Sequence, residues 1–291
     1  MQSLRATGKV GSTALGRGSR GLAWRGRVGN SVTLNAEEEQ FLREHRCHDV
    51  GAVLKRWKVV ARSAELSMET LAEQGGYPVV GLSGGRGAGD GLYFSAGIHG
   101  DEPAGVVGLL QWAERNLEYL RSQNVVILPC LNPWGLARNS RSDANGRDLN
   151  RSFGDAGVSP VKEWLEFVEG REFRVAVMLH EDYDAQGAYL YELTRRGSRD
   201  GERLLAGVDP VIGRQEGTAD GRRLEGGVLR RTRGIREIAE DIDGMPEAIH
   251  LYMNHARIAL TFETPSEFSI FRRVEAQMRF LDGVAGMVCG A

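Results

Sequence analysis

One stretch constrains this chain more than any other: an apolar alternation that runs into a polar turn and then into a helical pattern. Leu92, Phe94, Ala96 and Ile98 alternate along residues 91–98 and read as a strand. Pro103 then opens a helix whose Val106, Leu109, Leu110, Ala113, Leu117 and Leu120 share one face. Between them, in Gly97–Gly105, stand His99 and Glu102. An imidazole and a carboxylate three residues apart on a tight strand-to-helix turn can grip one metal ion. Zinc takes such donors, and a third protein ligand with one open position makes a catalytic site. The order is not that of a His-Glu-x-x-His helix, so Glu102 is expected as a ligand and not as a base. Alone the spacing recurs by chance, and the rest of the chain has to supply the third ligand.

The same alternation of strand and helix recurs downstream. Val125-Val126-Ile127-Leu128, Val175-Ala176-Val177-Met178-Leu179 and Ile258-Ala259-Leu260-Thr261-Phe262 are continuous apolar runs, the mark of strands buried on both faces. Pro160 starts a helix carrying Trp164, Leu165 and Val168. Thr264-Pro265-Ser266-Glu267 reads as a capping box opening a helix that carries Phe268, Phe271, Val274, Met278 and Leu281 and stops near Gly283. Residues 36–46 read as a polar helix. Residues 193–236, rich in Arg and Gly with little periodicity, read as a long excursion forming a wall or lid. The fold class expected is α/β: a three-layer sandwich with a central mixed, largely parallel sheet flanked by helices.

Composition narrows the class. A net charge of -2 gives no footprint for nucleic acid or an anionic membrane. Three distant cysteines, Cys47, Cys130 and Cys289, argue against a disulfide framework and for a reducing, cytoplasmic setting. No apolar run reaches membrane-spanning length. Residues 1–34 carry Arg5, Lys9, Arg17, Arg20, Arg25 and Arg27 and no acid. They are expected as a flexible basic tail, transit-like only in composition, ahead of a single catalytic domain over 35–291. Oligomeric state is not legible.

In open α/β sheets ligands bind beyond the carboxyl ends of strands. His99, His180 and Glu263 each follow a buried strand, so three polar groups can converge on one crevice. His180 thereby becomes the expected third ligand. Glu263 reads either as an acid favoured by the dipole of the next helix or as a general base. Arg138, Arg141, Arg147 and Arg151 crowd one polar loop, where guanidiniums can grip carboxylates or an oxyanion. His45 and His48 lie in a charged segment with no second pair. His250 and His255, five apart, do not share a helix face.

Taken in order, Gly97–Gly105, Asn132-Pro133-Trp134-Gly135, Gly146-Arg147-Asp148-Leu149-Asn150-Arg151, Leu179-His180-Glu181-Asp182 and Phe262-Glu263 resemble the zinc metallocarboxypeptidase family, the carboxypeptidase A-like peptidases and their bacterial relatives. The resemblance spans about residues 90–270. It implies one Zn2+ per chain held by His99, Glu102 and His180, with Glu263 as the general base for the attacking water. It also implies that Arg141 polarises the scissile carbonyl, that Asn150 and Arg151 bind the substrate's terminal carboxylate, and that Asp148 orients His99. Arg147 departs from the small apolar residue usual there. The family's mobile tyrosine has no match: Tyr252, the only tyrosine between 192 and 262, sits in the wrong local context.

The function expected is zinc-dependent hydrolysis of an amide bond adjacent to a free carboxylate, a metallocarboxypeptidase activity on a peptide. The alternative is an N-acyl amino acid deacylase of the succinylglutamate desuccinylase/aspartoacylase type. Those relatives carry a β-rich domain after the base, whereas one helix is expected here. A catalytically silent peptide-binding protein is the alternative of another class. No ligand or base is missing from the constellation, which argues against it.

Overall fold

Eight strands form one sheet, in the order β1-β2-β4-β3-β5-β10-β6-β9. They are β1 (Leu66–Gln74), β2 (Tyr77–Gly84), β3 (Gly91–Ala96), β4 (Val125–Leu128), β5 (Phe173–Asp182), β6 (Tyr189–Thr194), β9 (Val228–Arg230) and β10 (Ile258–Pro265). β7 (Thr218–Ala219) and β8 (Arg222–Arg223) make a separate small hairpin. This computed structural model describes residues 36, 40–41, 44–87, 89–194, 200–219, 221–230 and 234–290. The tail expected over 1–34 lies outside the described residues, as does much of the helix expected over 36–46.

The pairings β3–β4, β3–β5, β5–β10 and β6–β9 are parallel, and the others antiparallel. The sheet is thus mixed and largely parallel at its centre, as the apolar runs predict. Alternate residues feed two cores. Leu92, Phe94, Ile127, Val177 and Leu260 face one, and Tyr93, Val126, Leu128, Ala176 and Ala259 face the other. Helices cover both faces, giving three layers. On the first face lie α1 (Val50–Ser63), α2 (Pro103–Arg115), α6 (Asp200–Val208) and α9 (Ile270–Cys289). On the second lie α5 (Val161–Val168) and α8 (Glu247–Asn254). The short helices α3 (Leu117–Ser122), α4 (Pro133–Arg138) and α7 (Ile235–Asp241) fill connections. Among the described residues no helix is long and apolar enough to cross a membrane.

Two expectations are corrected. β10 runs on through Thr264 and Pro265, because both stay paired with β5, at Glu181 and Asp182. The capping box therefore does not form. Ser269 caps α9 instead, its hydroxyl accepting from the Arg272 N–H. α9 also continues past Gly283, where a methyl group would meet Leu204 of α6 at 3.1 Å; the glycine allows helix contact instead of ending the helix. The excursion over 193–236 is more ordered than its composition implies. It holds α6, the β7–β8 hairpin and β9, which closes the sheet edge beside β6.

Candidate active site

The turn after β3 is built by close approach. Gly97 sits at φ +61, a conformation L side chains rarely adopt. Gly100 packs so tightly on α4 that an added Cβ would lie 1.9 Å from the carbonyl carbon of Gly135. α4 is held there by Asn132, whose side chain accepts from the Gly135 N–H. Glu102 occupies the N-cap of α2 but makes no capping bond, so its carboxylate is free to turn toward the strand ends.

That carboxylate meets both histidines. Glu102 Oε1 lies 2.6 Å from His99 Nδ1, and Oε2 lies 2.9 Å from His180 Nδ1. One donor atom from each residue falls within 4.8 Å of the others, and all three side chains are buried. Burial opposes charge on these groups, yet the carboxylate and the imidazoles favour one another's charged forms, and a metal ion would take the place of the imidazole protons that face Glu102. His99 and His180 are raised above the usual histidine range, and Glu102 is held well below the usual carboxylate range. A nest that stabilises positive charge between two imidazoles and a carboxylate fits a divalent ion of the zinc type.

Each ligand candidate has its own support. His99 Nε2 lies 3.1 Å from Asp148 Oδ1, so a proton held on Nε2 by that carboxylate would leave Nδ1 as the atom facing a metal. Asp148 Oδ2 also accepts from Arg141 Nη2 at 3.0 Å, and Asp148 Oδ1 from the Asn150 N–H at 2.9 Å. Asp148 therefore ties the histidine, the arginine and the Leu149–Arg151 turn together. Gln277 of α9 donates to the His180 carbonyl at 2.9 Å. Glu181 accepts from the Ala104 N–H and pairs with Arg273, and its burial pushes it up to about 7 against the pull of that guanidinium. We predict that Asp148→Ala will lower the affinity for a divalent metal ion about 10–100-fold, the usual cost of removing such a support. Competition with a fluorescent chelator measures it; unchanged affinity would show that His99 needs no orienting acid.

Register explains the rest of the crevice. β5, β10 and β6 align His180, Glu263 and Tyr189 in one row. The next row on that face is Met178, Thr261, Tyr191 and, on β9, Leu229. All of them line a cavity of about 790 Å³ that also receives His99, Glu102, Arg141, Asn150 and Arg151. The structure thus brings the expected site residues to one cavity, Asp148 standing behind His99. Arg138 is elsewhere, stacked 4.5 Å over Trp134. Arg147 is exposed and does not line the cavity.

Three features escaped the sequence. Tyr183, Tyr189 and Tyr191 line the cavity, whereas Tyr252 is buried in the second core. Their position right after a strand ending in a ligand was a usable signal. Glu247 is buried and accepts from Tyr93, whose hydroxyl in turn accepts from Trp164 at 2.7 Å. The Glu247 N–H occupies Asn150 Oδ1 at 3.0 Å, which leaves the Asn150 amide nitrogen as the group to offer a ligand. His250 and His255, expected apart, stand with ring centroids 5.7 Å apart, because His255 is at the cap of α8 and not on its face.

The family model for the succinylglutamate desuccinylase/aspartoacylase catalytic domain matches residues 88–180, a span that ends at His180 and leaves out Glu263. Over 71 residues the chain is 41% identical to murein peptide amidase A of Escherichia coli (strain K12), covering 24% of this chain. The match spans about a quarter (26%) of the length of that curated relative. A candidate metallopeptidase from Shewanella denitrificans OS217 has a similar solved structure, with TM-score 0.73, 20% identity, and 83% of this chain and 91% of that one covered. A metallo-carboxypeptidase from Burkholderia cenocepacia aligns with TM-score 0.59 and 14% identity over 81% of this chain and 68% of that one. At such identities the structural likeness is one of fold. The chain is similar to metallopeptidase-type amidases and carboxypeptidases.

Proposed function

We propose that this chain, with its carboxypeptidase-like fold and its desuccinylase/aspartoacylase-like residues 88–180, hydrolyses an amide bond next to a free carboxylate. The observation that carries the reading is the convergence of His99, Glu102 and His180 beside Glu263, with Asn150 and Arg151 in the same cavity. His99, Glu102 and His180 would hold one zinc ion. The ion would supply Lewis acidity, to the substrate carbonyl and to water alike. Glu263 takes the proton of the attacking water on its carboxylate and delivers it to the leaving nitrogen. Arg141, anchored by Asp148, presents its guanidinium to the charge that develops on the carbonyl oxygen. Asn150 and Arg151 bind the substrate carboxylate and set the register of the scissile bond. The floor of Met178, Thr261, Tyr191 and Leu229 receives the adjoining side chain.

The match to the desuccinylase/aspartoacylase domain supports a second reading, in which the substrate is an N-acyl amino acid. The two share chemistry and differ in what lies on the acyl side. Purified zinc-loaded protein offered free-acid dipeptides, murein peptides and N-acyl amino acids separates them by which set turns over.

Arg151 provides the sharper test of the carboxylate. Its guanidinium is exposed, and among the described residues its one hydrogen bond is to the Asn150 carbonyl, so it is available to a ligand. A charge-assisted hydrogen bond there is worth about 1.5–3 kcal/mol. Arg151→Ala and amidation of the substrate's terminus each remove that contact. We predict that each lowers kcat/KM and that the two losses do not add. Full additivity would remove Arg151 from carboxylate recognition. An amidated substrate cleaved as well as the free acid would count against the carboxypeptidase reading itself.

A further inference from the structure

We propose that the β7–β8 hairpin reads a second anionic group on the substrate, through Arg222 and Arg223. This deepens the amide-hydrolase reading and names its substrate class: molecules with a carboxylate, or another anion of like charge, beyond the one held at Asn150 and Arg151.

The hairpin is a built element. Gly221 at φ +69 turns it, and the Leu224 N–H closes on the Gly217 carbonyl at 2.9 Å. Ala219 and Leu224 are buried in a small core with Tyr189 and Leu229, and Tyr191 packs against it. The hairpin is thereby fixed to the two rows that form the cavity floor. Both arginines are exposed and both line the cavity.

Charge pairing decides what they face. The acids of this cavity are largely committed. Glu102 faces two imidazoles and Arg141, Glu181 faces Arg273, Asp182 accepts from the Tyr189 hydroxyl, and Glu225 lies 3.8 Å from Arg230. Arg141 and Arg230 are likewise engaged by carboxylates. Among the described residues, the guanidiniums of Arg222 and Arg223 have no hydrogen-bond or ion-pair partner; the two residues pair through their backbone alone, with Ala219 and Thr218. Two unengaged guanidiniums on the wall of a catalytic cavity are ready donors for a carboxylate. β9, to whose Leu229 the hairpin is pinned, is two strands from Glu263. That separation is about 10 Å at the usual strand spacing, the reach of a short substrate.

Straight-chain dicarboxylates from pentanedioate to decanedioate, each compared with the monocarboxylate of equal length, probe the pair without any turnover. Calorimetry on the zinc-loaded full chain should show at least one dicarboxylate binding about tenfold or more tighter than its monocarboxylate. Arg222→Ser/Arg223→Ser should bring that ratio to within about twofold, with an unchanged circular dichroism spectrum. Raising the salt concentration should shrink the wild-type ratio, as an exposed ionic contact requires. No dicarboxylate advantage, or one that survives the double substitution, overturns the proposal. The peptide panel is run beside it. An advantage that depends on the hairpin in a protein that cleaves no amide would leave the anion subsite standing and remove the hydrolase reading instead.

Discussion

Glu263→Gln is expected to keep its metal and lose about 10²–10⁴-fold in kcat, the usual contribution of a positioned acid/base. The amide preserves the size of the side chain and its place in the row between His180 and Tyr189, but it cannot take up the water's proton. The control is His180→Ala, which deletes a ligand candidate at the end of β5 and should lose the metal along with the activity. Measuring zinc content and single-turnover rates on both variants separates the roles. Near-normal turnover in Glu263→Gln would remove this carboxylate from the mechanism. Equal zinc content in His180→Ala and wild type would remove the metal assignment.

Much of this site is legible in sequence because strand ends announce themselves. A buried parallel strand is a short apolar run, and the first polar residue after it stands at the edge of the sheet where ligands bind. His180 and Glu263 are found that way, and His99 by the turn that follows β3. The elements that failed to read did so for physical reasons. β1 and β2 are only part buried, so their apolar pattern is diluted. β9 is three residues long and gains its place from pairing with β6, a contact distant in sequence. The start of α9 was misplaced because local capping chemistry at Thr264 and Pro265 competes with sheet pairing, and the pairing wins. Tyr189 and Tyr191 could be read as strand residues, but the face they present depends on the antiparallel register with β10, which the sequence does not state.

The same distinction governs Glu181, which reads as one more acid of the His180 segment and proves to be structural. Its side chain is fully buried behind the site, with Ala104 and Arg273 as partners, and Arg273 is itself only 14% exposed. Arg273→Met is expected to destabilise the fold by about 1–3 kcal/mol, the cost of a buried group left without its partner, because Glu181, already pushed up to about 7 beside the guanidinium, can take up a proton once it is gone. The loss would fall on the packing of α9 against α2, since Arg273 comes from the first and Ala104 from the second. Adding Glu181→Gln should recover most of it, because the amide oxygen still accepts from the Ala104 N–H and no charge remains to be compensated. Chemical denaturation of wild type, the single variant and the double variant measures the coupling. If the double variant is as unstable as Arg273→Met alone, the guanidinium acts through its packing and not through Glu181. If the single variant is as stable as wild type, the pair is dispensable, and the hydrogen bond from Gln277 to the His180 carbonyl is enough to tie α9 to this strand end.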